Sequence, residues 1–172
     1  IKTLDDALNI IELGVEKIAI SSSIFNDFTL LKKISSKIGM QSVVVVLDYK
    51  KTGLFRKNEI FINNGRVNTG KNLLKFITKI NECGHVGEIV LNSIENDGKM
   101  MGYDLETINE VREVFDGPMT VVGGAGKLED FKKLINIHPL MGMGAGSLFV
   151  FNGKYKAVLI NYPNINTRLK LF

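Results

Sequence analysis

Two kinds of residue in this chain have side chains suited to acting on a small molecule: one aspartate and several runs of glycine and serine. Asp48 directly follows the five apolar residues 43–47. A carboxyl group at the mouth of a buried strand is suited to general acid–base catalysis. The residues alone leave open whether Asp48 plays this role, caps a helix or pairs with Lys50.

The glycine- and serine-rich segments are suited to binding an oxyanion such as phosphate. They are Ser22-Ser23, Ser93 with the following Asp97-Gly98 loop, Gly123–Gly126 and Gly146-Ser147. Glycine lets the backbone approach a ligand closely and adopt positive φ, so successive N–H groups can point at an anion. One such segment alone is also an ordinary turn, and Asp97 by itself is a turn former. Because two of the segments occupy neighbouring predicted loops, phosphate binding is favoured.

Lys17 and Glu88 stand at the opposite, N-terminal ends of their predicted strands. That end of a parallel barrel usually serves stability. If both side chains point inward, they form a charged plug across the barrel floor. The alternative, which the sequence alone favours, is a pair of ordinary surface charges.

Strand-like and helix-like segments alternate along the chain, which predicts a parallel α/β fold. The predicted strands are Lys17–Ser21, Ser42–Asp48, Glu88–Ser93, Met119–Gly123 and Leu140–Ala145. The predicted helices run from Thr3 to near Gly14 and over Asp27–Ile38, Gly70–Cys83, Leu105–Phe115 with Asp104 as its cap, and Leu128–Ile137. Asn64-Gly65 predicts a hairpin turn. In a parallel barrel, ligands bind at the carboxyl ends of the strands, so Asp48 and the glycine-rich loops are expected on one face.

An internal repeat favours a barrel made of two halves. Leu4–Phe25 aligns with Leu128–Phe149 at a constant offset of 124, which matches Asp6 with Asp130 and Ser23 with Ser147. Chance similarity would also explain these matches. The second copy follows the strand VVGGAG, so a similar strand is expected before the first copy. We therefore expect one domain over residues 1–172, an N-terminally incomplete (β/α)8 barrel with about strands 4 to 8 present.

The composition excludes several functional classes. The net charge of the chain is only +4 and its lysines are spread along the sequence rather than clustered, which argues against nucleic-acid binding. No apolar run approaches the roughly 20 residues of a membrane span. The single cysteine, Cys83, and the absence of a leader peptide predict a cytoplasmic protein.

Six segments, in order, resemble the cyclase subunit of imidazole glycerol phosphate synthase (HisF), a ribulose-phosphate-binding type of TIM barrel. They are EKIAISSS, SVVVVLDYK, NTGKNLL, GEIVLNSIENDGKMMGYDLE, VVGGAGKLEDF and GSLFVF. The resemblance implies a lyase that uses ammonia from a separate glutaminase subunit. It converts a ribulosyl-aminoimidazole-carboxamide nucleotide to imidazole glycerol phosphate, and we expect no cofactor and no metal.

The resemblance also implies roles for particular residues. Asp48 matches the second of two catalytic aspartates, and the first would precede Ile1. Ser21 and Ser22 fall where the family has a phosphate-contacting Asn-Thr pair. The remaining substrate and phosphate positions are Asn92, Asp97, Gly98, Gly123, Gly124, Gly146 and Ser147. Lys17 and Glu88 match members of the charged ring through which ammonia enters, and Glu16 matches a residue facing the glutaminase.

Departures from the family leave a second branch open. Serines replace the Asn-Thr pair, Asn92 replaces a threonine and Val122 replaces a serine. The tail GSLFVFNGKYKAVLINYPN resembles HisF-like acetamidino-modification paralogues of the AglZ or WbuZ type, from lipopolysaccharide and other surface-polysaccharide pathways. These are expected to pass ammonia with a glutaminase and a third amidotransferase protein. Two further functions stay open: a non-catalytic scaffold that activates the glutaminase, and an unrelated phosphate-sugar isomerase on the same fold.

Overall fold

Helices and strands alternate along the chain in this computed structural model, which describes residues 1–171. The elements are α1 (Leu4–Glu12), β1 (Ile18–Ile20), α2 (Thr29–Ile38), β2 (Val43–Thr52), β3 (Lys57–Ile62), β4 (Val67–Asn72), α3 (Leu73–Cys83), β5 (Glu88–Ser93), α4 (Leu105–Arg112), β6 (Met119–Val122), α5 (Leu128–Ile137), β7 (Gly142–Met143), α6 (Ser147–Val150), β8 (Phe151–Asn152), β9 (Ala157–Val158) and α7 (Ile165–Leu169). The alternation predicted from sequence is confirmed.

Five strands form a parallel sheet in which spatial order follows chain order, β1–β2–β5–β6–β7. When right-handed crossovers add each new strand to the same edge of a parallel sheet, all the connecting helices lie on one face of that sheet. This is the winding of a (β/α)8 barrel, whereas a doubly wound sheet reverses direction and has helices on both faces. The fold class is therefore confirmed as barrel-type α/β, and the sheet is not closed within residues 1–171.

The two faces of the sheet differ in burial. In β5, Ile89, Leu91 and Ser93 are buried, whereas Glu88, Val90 and Asn92 are partly exposed. The buried face packs against the helices, because side chains of a strand point alternately to opposite sides. The other face, called here the open face, therefore carries Glu88 and Asn92, two of the residues expected to have functional roles.

The 124-residue repeat is visible in the hydrogen bonds. Asp6 Oδ2 accepts bonds from the backbone N–H groups four and three residues before it, at 2.8 and 3.1 Å. Asp130 Oδ2 accepts the two bonds at the equivalent positions, at 2.9 and 3.1 Å. Each aspartate thus binds the backbone N–H groups at the start of α1 or α5, and at α1 the Thr3 hydroxyl completes a capping box. The two copies share their local structure as well as their sequence.

Two boundaries differ from the prediction because of the hairpin formed by β3 and β4. β2 continues four residues beyond Asp48, since residues 48–52 pair with β3. α3 begins at Leu73 rather than Gly70, because residues 67–72 pair with β3 and Asn72 caps the helix. Antiparallel pairing thus extends the end of the strand that carries Asp48. No helix in residues 1–171 has the length and apolar character needed to cross a bilayer.

Replacing Asp130 with alanine should lower the free energy of unfolding by about 2 kcal/mol, because two backbone N–H groups at a helix start lose their acceptor. Asp130 is 6% exposed. The matched variant Asp6→Ala removes the equivalent bonds from a more exposed helix start and should cost less. Urea denaturation measures both, and equal losses would contradict the role assigned to burial.

Candidate functional site

Asp48 lies on the open face near the carboxyl end of the part of β2 that pairs in parallel with β5, opposite Asn92. Asn92 Nδ2 donates a hydrogen bond of 2.8 Å to Asp48 Oδ1. Asp48 Oδ2 accepts no hydrogen bond from residues 1–171. Asp48 sits within a strand rather than at a helix start, so it is not a helix cap. One oxygen is oriented by an amide and the other is available to a substrate.

Glycines bring the loops after β5 and β6 into direct contact. Gly102 N–H donates to the Gly124 carbonyl at 2.8 Å. A Cβ on Gly124, whose φ is +110°, would lie 2.2 Å from the Gly102 oxygen, and a Cβ on Gly123 would lie 3.2 Å from Asn92 Oδ1. Only glycine fits this approach, which packs the VVGGAG loop beside the Asp48–Asn92 pair.

Tyr103 links a third loop, the one after β7, to the loops after β5 and β6. Its hydroxyl donates to the Gly144 carbonyl at 2.9 Å, just before Gly146 and Ser147 at the start of α6. Asp97 and Gly98 lie in the same loop as Tyr103. The structure therefore places the predicted residues of this cluster on three neighbouring loops. No pattern in the sequence indicated the Tyr103 contact, which spans 41 residues.

Ser21 and Ser22 lie apart from those loops, at the carboxyl end of β1. They line a cleft of about 750 Å³ with Asn63, Asn64 and Arg66 from the β3–β4 turn. The Asn63 N–H donates to Ser22 Oγ at 3.1 Å. The sequence predicted the turn from Asn64-Gly65. It held no signal that this turn reaches the end of β1.

Lys17 and Glu88 form an ion pair at the amino ends of the strands, with 2.7 Å between Lys17 Nζ and Glu88 Oε2. Thr120 Oγ1 donates to Glu88 Oε1, also at 2.7 Å. Partial burial opposes ionisation of Glu88, but the bonds from Lys17 and Thr120 outweigh it and hold the pKa of this carboxyl below its ordinary value. The two residues are joined across the sheet rather than being independent surface charges. We call them the gate pair, after the role that the sequence predicts for them.

Glu16 and Lys17 line a depression of about 710 Å³ at this same end of the sheet. Its apolar lining includes Val15 and Met40, which are 42% and 47% exposed. Lys37 adds a second cation. An apolar patch bordered by charges has the character of a surface that contacts another protein.

Comparison with known proteins identifies the family. The sequence profile of the histidine biosynthesis protein family matches residues 1–156. The chain is 46% identical over 172 residues to a putative imidazole glycerol phosphate synthase subunit HisF of Leptospira borgpetersenii, covering 100% of this chain and 67% of that protein. It is 45% identical over 170 residues to the putative subunit hisF3 of Vibrio vulnificus, covering 99% and 65%.

A relative whose name lacks the word putative is more distant. The imidazole glycerol phosphate synthase subunit HisF of Natranaerobius thermophilus is 36% identical over 162 residues, which is 94% of this chain and 63% of that protein. The chain spans about two thirds of the length of these curated relatives. The residues beyond 156 lie outside the profile match.

The stability contributed by Glu88 should be fully present above about pH 4.5, the ordinary pKa of a glutamate side chain. It should be lost as the pH falls through the lowered pKa that Glu88 has in the folded state. The reason is that the folded protein binds this proton less readily than the unfolded chain. Glu88→Gln should flatten the acid limb of the unfolding free energy measured in urea over a pH series. Glu12→Gln, on the exposed side of α1, is the control. Parallel acid limbs for wild type and Glu88→Gln would contradict the assignment.

Proposed function

The chain belongs to the histidine biosynthesis protein family, and on this premise we propose that it is the cyclase subunit of an imidazole glycerol phosphate synthase. The order of sites across the sheet supports this proposal. Ser21 and Ser22 follow β1, Asp48 lies on β2, and the glycine loops follow β5 to β7. With neighbouring strands about 4.8 Å apart, the sites span roughly 14 to 20 Å. That span suits an extended substrate with a phosphate at each end and the reacting atoms between them.

In this proposal Asp48 is the acid–base group. Addition of ammonia to a carbonyl, closure of the imidazole ring and release of the purine precursor each move a proton. A carboxyl group with one oxygen held by Asn92 and the other free can accept such a proton and return it. The phosphate loops hold the two ends of the substrate, so the reacting centre is presented to Asp48 in one orientation.

The open face offers a route for ammonia between the two ends of the sheet. Glu88 and Asn92 are four residues apart on the same face of β5, a distance of about 13 Å. Val90 lies between them on that face, beside Val46 of β2. In a closed barrel this face lines the interior. Ammonia made by a glutaminase docked on the Glu16 depression would pass the gate pair and travel along apolar side chains to Asp48.

The sugar-amidination branch is the second candidate. It is supported by the tail GSLFVFNGKYKAVLINYPN, which resembles those paralogues and whose last residues lie beyond the family profile match at residue 156. In that branch the glutaminase surface and the gate pair keep their roles. Ammonia then passes to a third protein that converts an acetamido sugar to an acetamidino sugar. A scaffold that only activates the glutaminase would keep the same surfaces without using Asp48.

Asp48→Asn should reduce cyclase turnover by about 10²- to 10⁴-fold, the usual contribution of a general acid–base group. The assay supplies ammonium salt directly to the full-length protein with the ribulosyl nucleotide, so no glutaminase is needed. Asp5→Asn, on the exposed side of α1, is the matched control.

Retained turnover in Asp48→Asn would contradict the acid–base role proposed for this carboxyl group. A wild-type protein that neither turns over the nucleotide nor complements a histidine auxotroph would favour the sugar-amidination branch instead.

Lys17→Met should uncouple the glutaminase from the synthase, because the ion pair with Glu88 no longer closes the amino end of the sheet. Turnover supported by glutamine is expected to fall several-fold more than turnover supported by ammonium salt, with free ammonia released. Lys37→Met removes a cation from the same depression without touching the gate pair and serves as the control. Equal losses with both nitrogen sources would argue against a gate.

A further inference from the structure

The β3–β4 hairpin contributes polar side chains to the cleft at Ser21 and Ser22. Asn63, Asn64 and Arg66 line this cleft of about 750 Å³ together with the two serines. The phosphate position inferred from the sequence involves only the serines. The hairpin therefore brings a guanidinium group to a predicted anion site for which no cation had been identified.

The turn that carries Arg66 has a conformation specified by its own residues. Asn63, Asn64 and Gly65 have φ values of 54°, 58° and 73°, in the left-handed region that asparagine and glycine tolerate best. The Asn63 N–H donates to Ser22 Oγ at 3.1 Å, which fixes the turn against the end of β1. Because that oxygen accepts a bond from the backbone, the hydroxyl proton of Ser22 is free to donate to an oxyanion.

The charges around the cleft favour an anion. Arg66 forms no ion pair with a carboxylate within residues 1–171, and Lys2 adds a second cation to the lining. Asp27 is the single carboxylate of the lining. It accepts bonds from Thr29 and, at 2.9 Å, from Lys33, and these bonds lower its pKa. Its negative charge is thus balanced by Lys33, and the lining keeps a net positive charge.

We propose that Arg66 is the charge-bearing ligand of a phosphate monoester bound between the end of β1 and the β3–β4 hairpin, with the Ser22 hydroxyl as a second donor. The planar guanidinium presents two parallel N–H groups, which match two phosphate oxygens. This assignment rests on the proposed function and deepens it, since it makes the hairpin a part of the substrate site. A carboxylate is the other anion of suitable size, and the experiment separates the two.

The test is a titration of the ¹⁵N-labelled full-length protein with inorganic phosphate at constant ionic strength, followed by the amide signals of Ser22 and Asn63. Both signals should saturate with phosphate and respond more weakly to acetate. Arg66→Gln should raise the dissociation constant at these amides about tenfold, the equivalent of one hydrogen bond to a charged group. Arg66→Lys should recover part of the lost phosphate affinity, because lysine keeps the positive charge but lacks the two parallel N–H groups of the guanidinium.

Arg56→Gln is the matched control, because Arg56 lies at the other end of β3 and pairs with Glu95 at 3.3 Å. It should leave the phosphate affinity unchanged. The Gly124 amide should report unaltered binding at the glycine loops in every variant. Arg66 is exposed, so the fold should persist, and an unchanged set of dispersed amide signals verifies this.

Three results would overturn the proposal. They are an Arg66→Gln affinity within about twofold of wild type, an equal loss in Arg56→Gln, and equal binding of acetate and phosphate at Ser22. The absence of saturation in the wild type would do the same. The experiment measures no turnover, so an inactive enzyme with an intact Arg66 effect would refute the cyclase function while leaving this site in place.

Discussion

The parallel register between β2 and β5 is the constraint on which the candidate site depends. It sets Asp48 opposite Asn92 and Val44 opposite Glu88. Because strand side chains alternate with a period of two, the acid–base candidate and the gate pair fall on the same face, at opposite ends of the sheet. A slip of one residue would turn these side chains toward the helices. The buried valines and leucines on the helix side oppose such a slip, so core packing specifies the positions of the polar groups.

The hairpin is the second organising feature, because it makes β2 longer than the parallel sheet requires. Beyond Asp48, the buried Tyr49 directs its hydroxyl to Asp104 Oδ2 at 3.4 Å, and Lys51 Nζ lies 2.6 Å from Glu106 Oε2. Burial, reinforced by the negative charge of Asp104, raises the pKa of Tyr49, so this phenol remains a neutral donor. These contacts join the base of the hairpin to α4. They hold in place the β3–β4 hairpin, whose turn contacts Ser22.

The internal repeat connects the architecture with the shape of the proposed substrate. At the 124-residue offset, Ser22 corresponds to Gly146, and each lies just after a short strand, β1 or β7. The two proposed phosphate positions therefore occupy equivalent places in two copies of one unit. A ligand with a phosphate at each end matches this arrangement. The copies differ in their partners, because a hairpin reaches the first position and Tyr103 reaches the loop of the second.

The sequence by itself determined the elements whose signals are local. It predicted β5 and α5 with the observed bounds, because the apolar pattern of each element acts over a few residues. It also determined the barrel-type winding and the candidate role of Asp48 through its resemblance to a family. Only the tertiary structure decided that Lys17 meets Glu88 across 71 residues, that β2 continues into the hairpin, and that Arg66 enters the serine cleft. These contacts depend on how distant strands and turns meet in space, and no spacing along the chain encodes that.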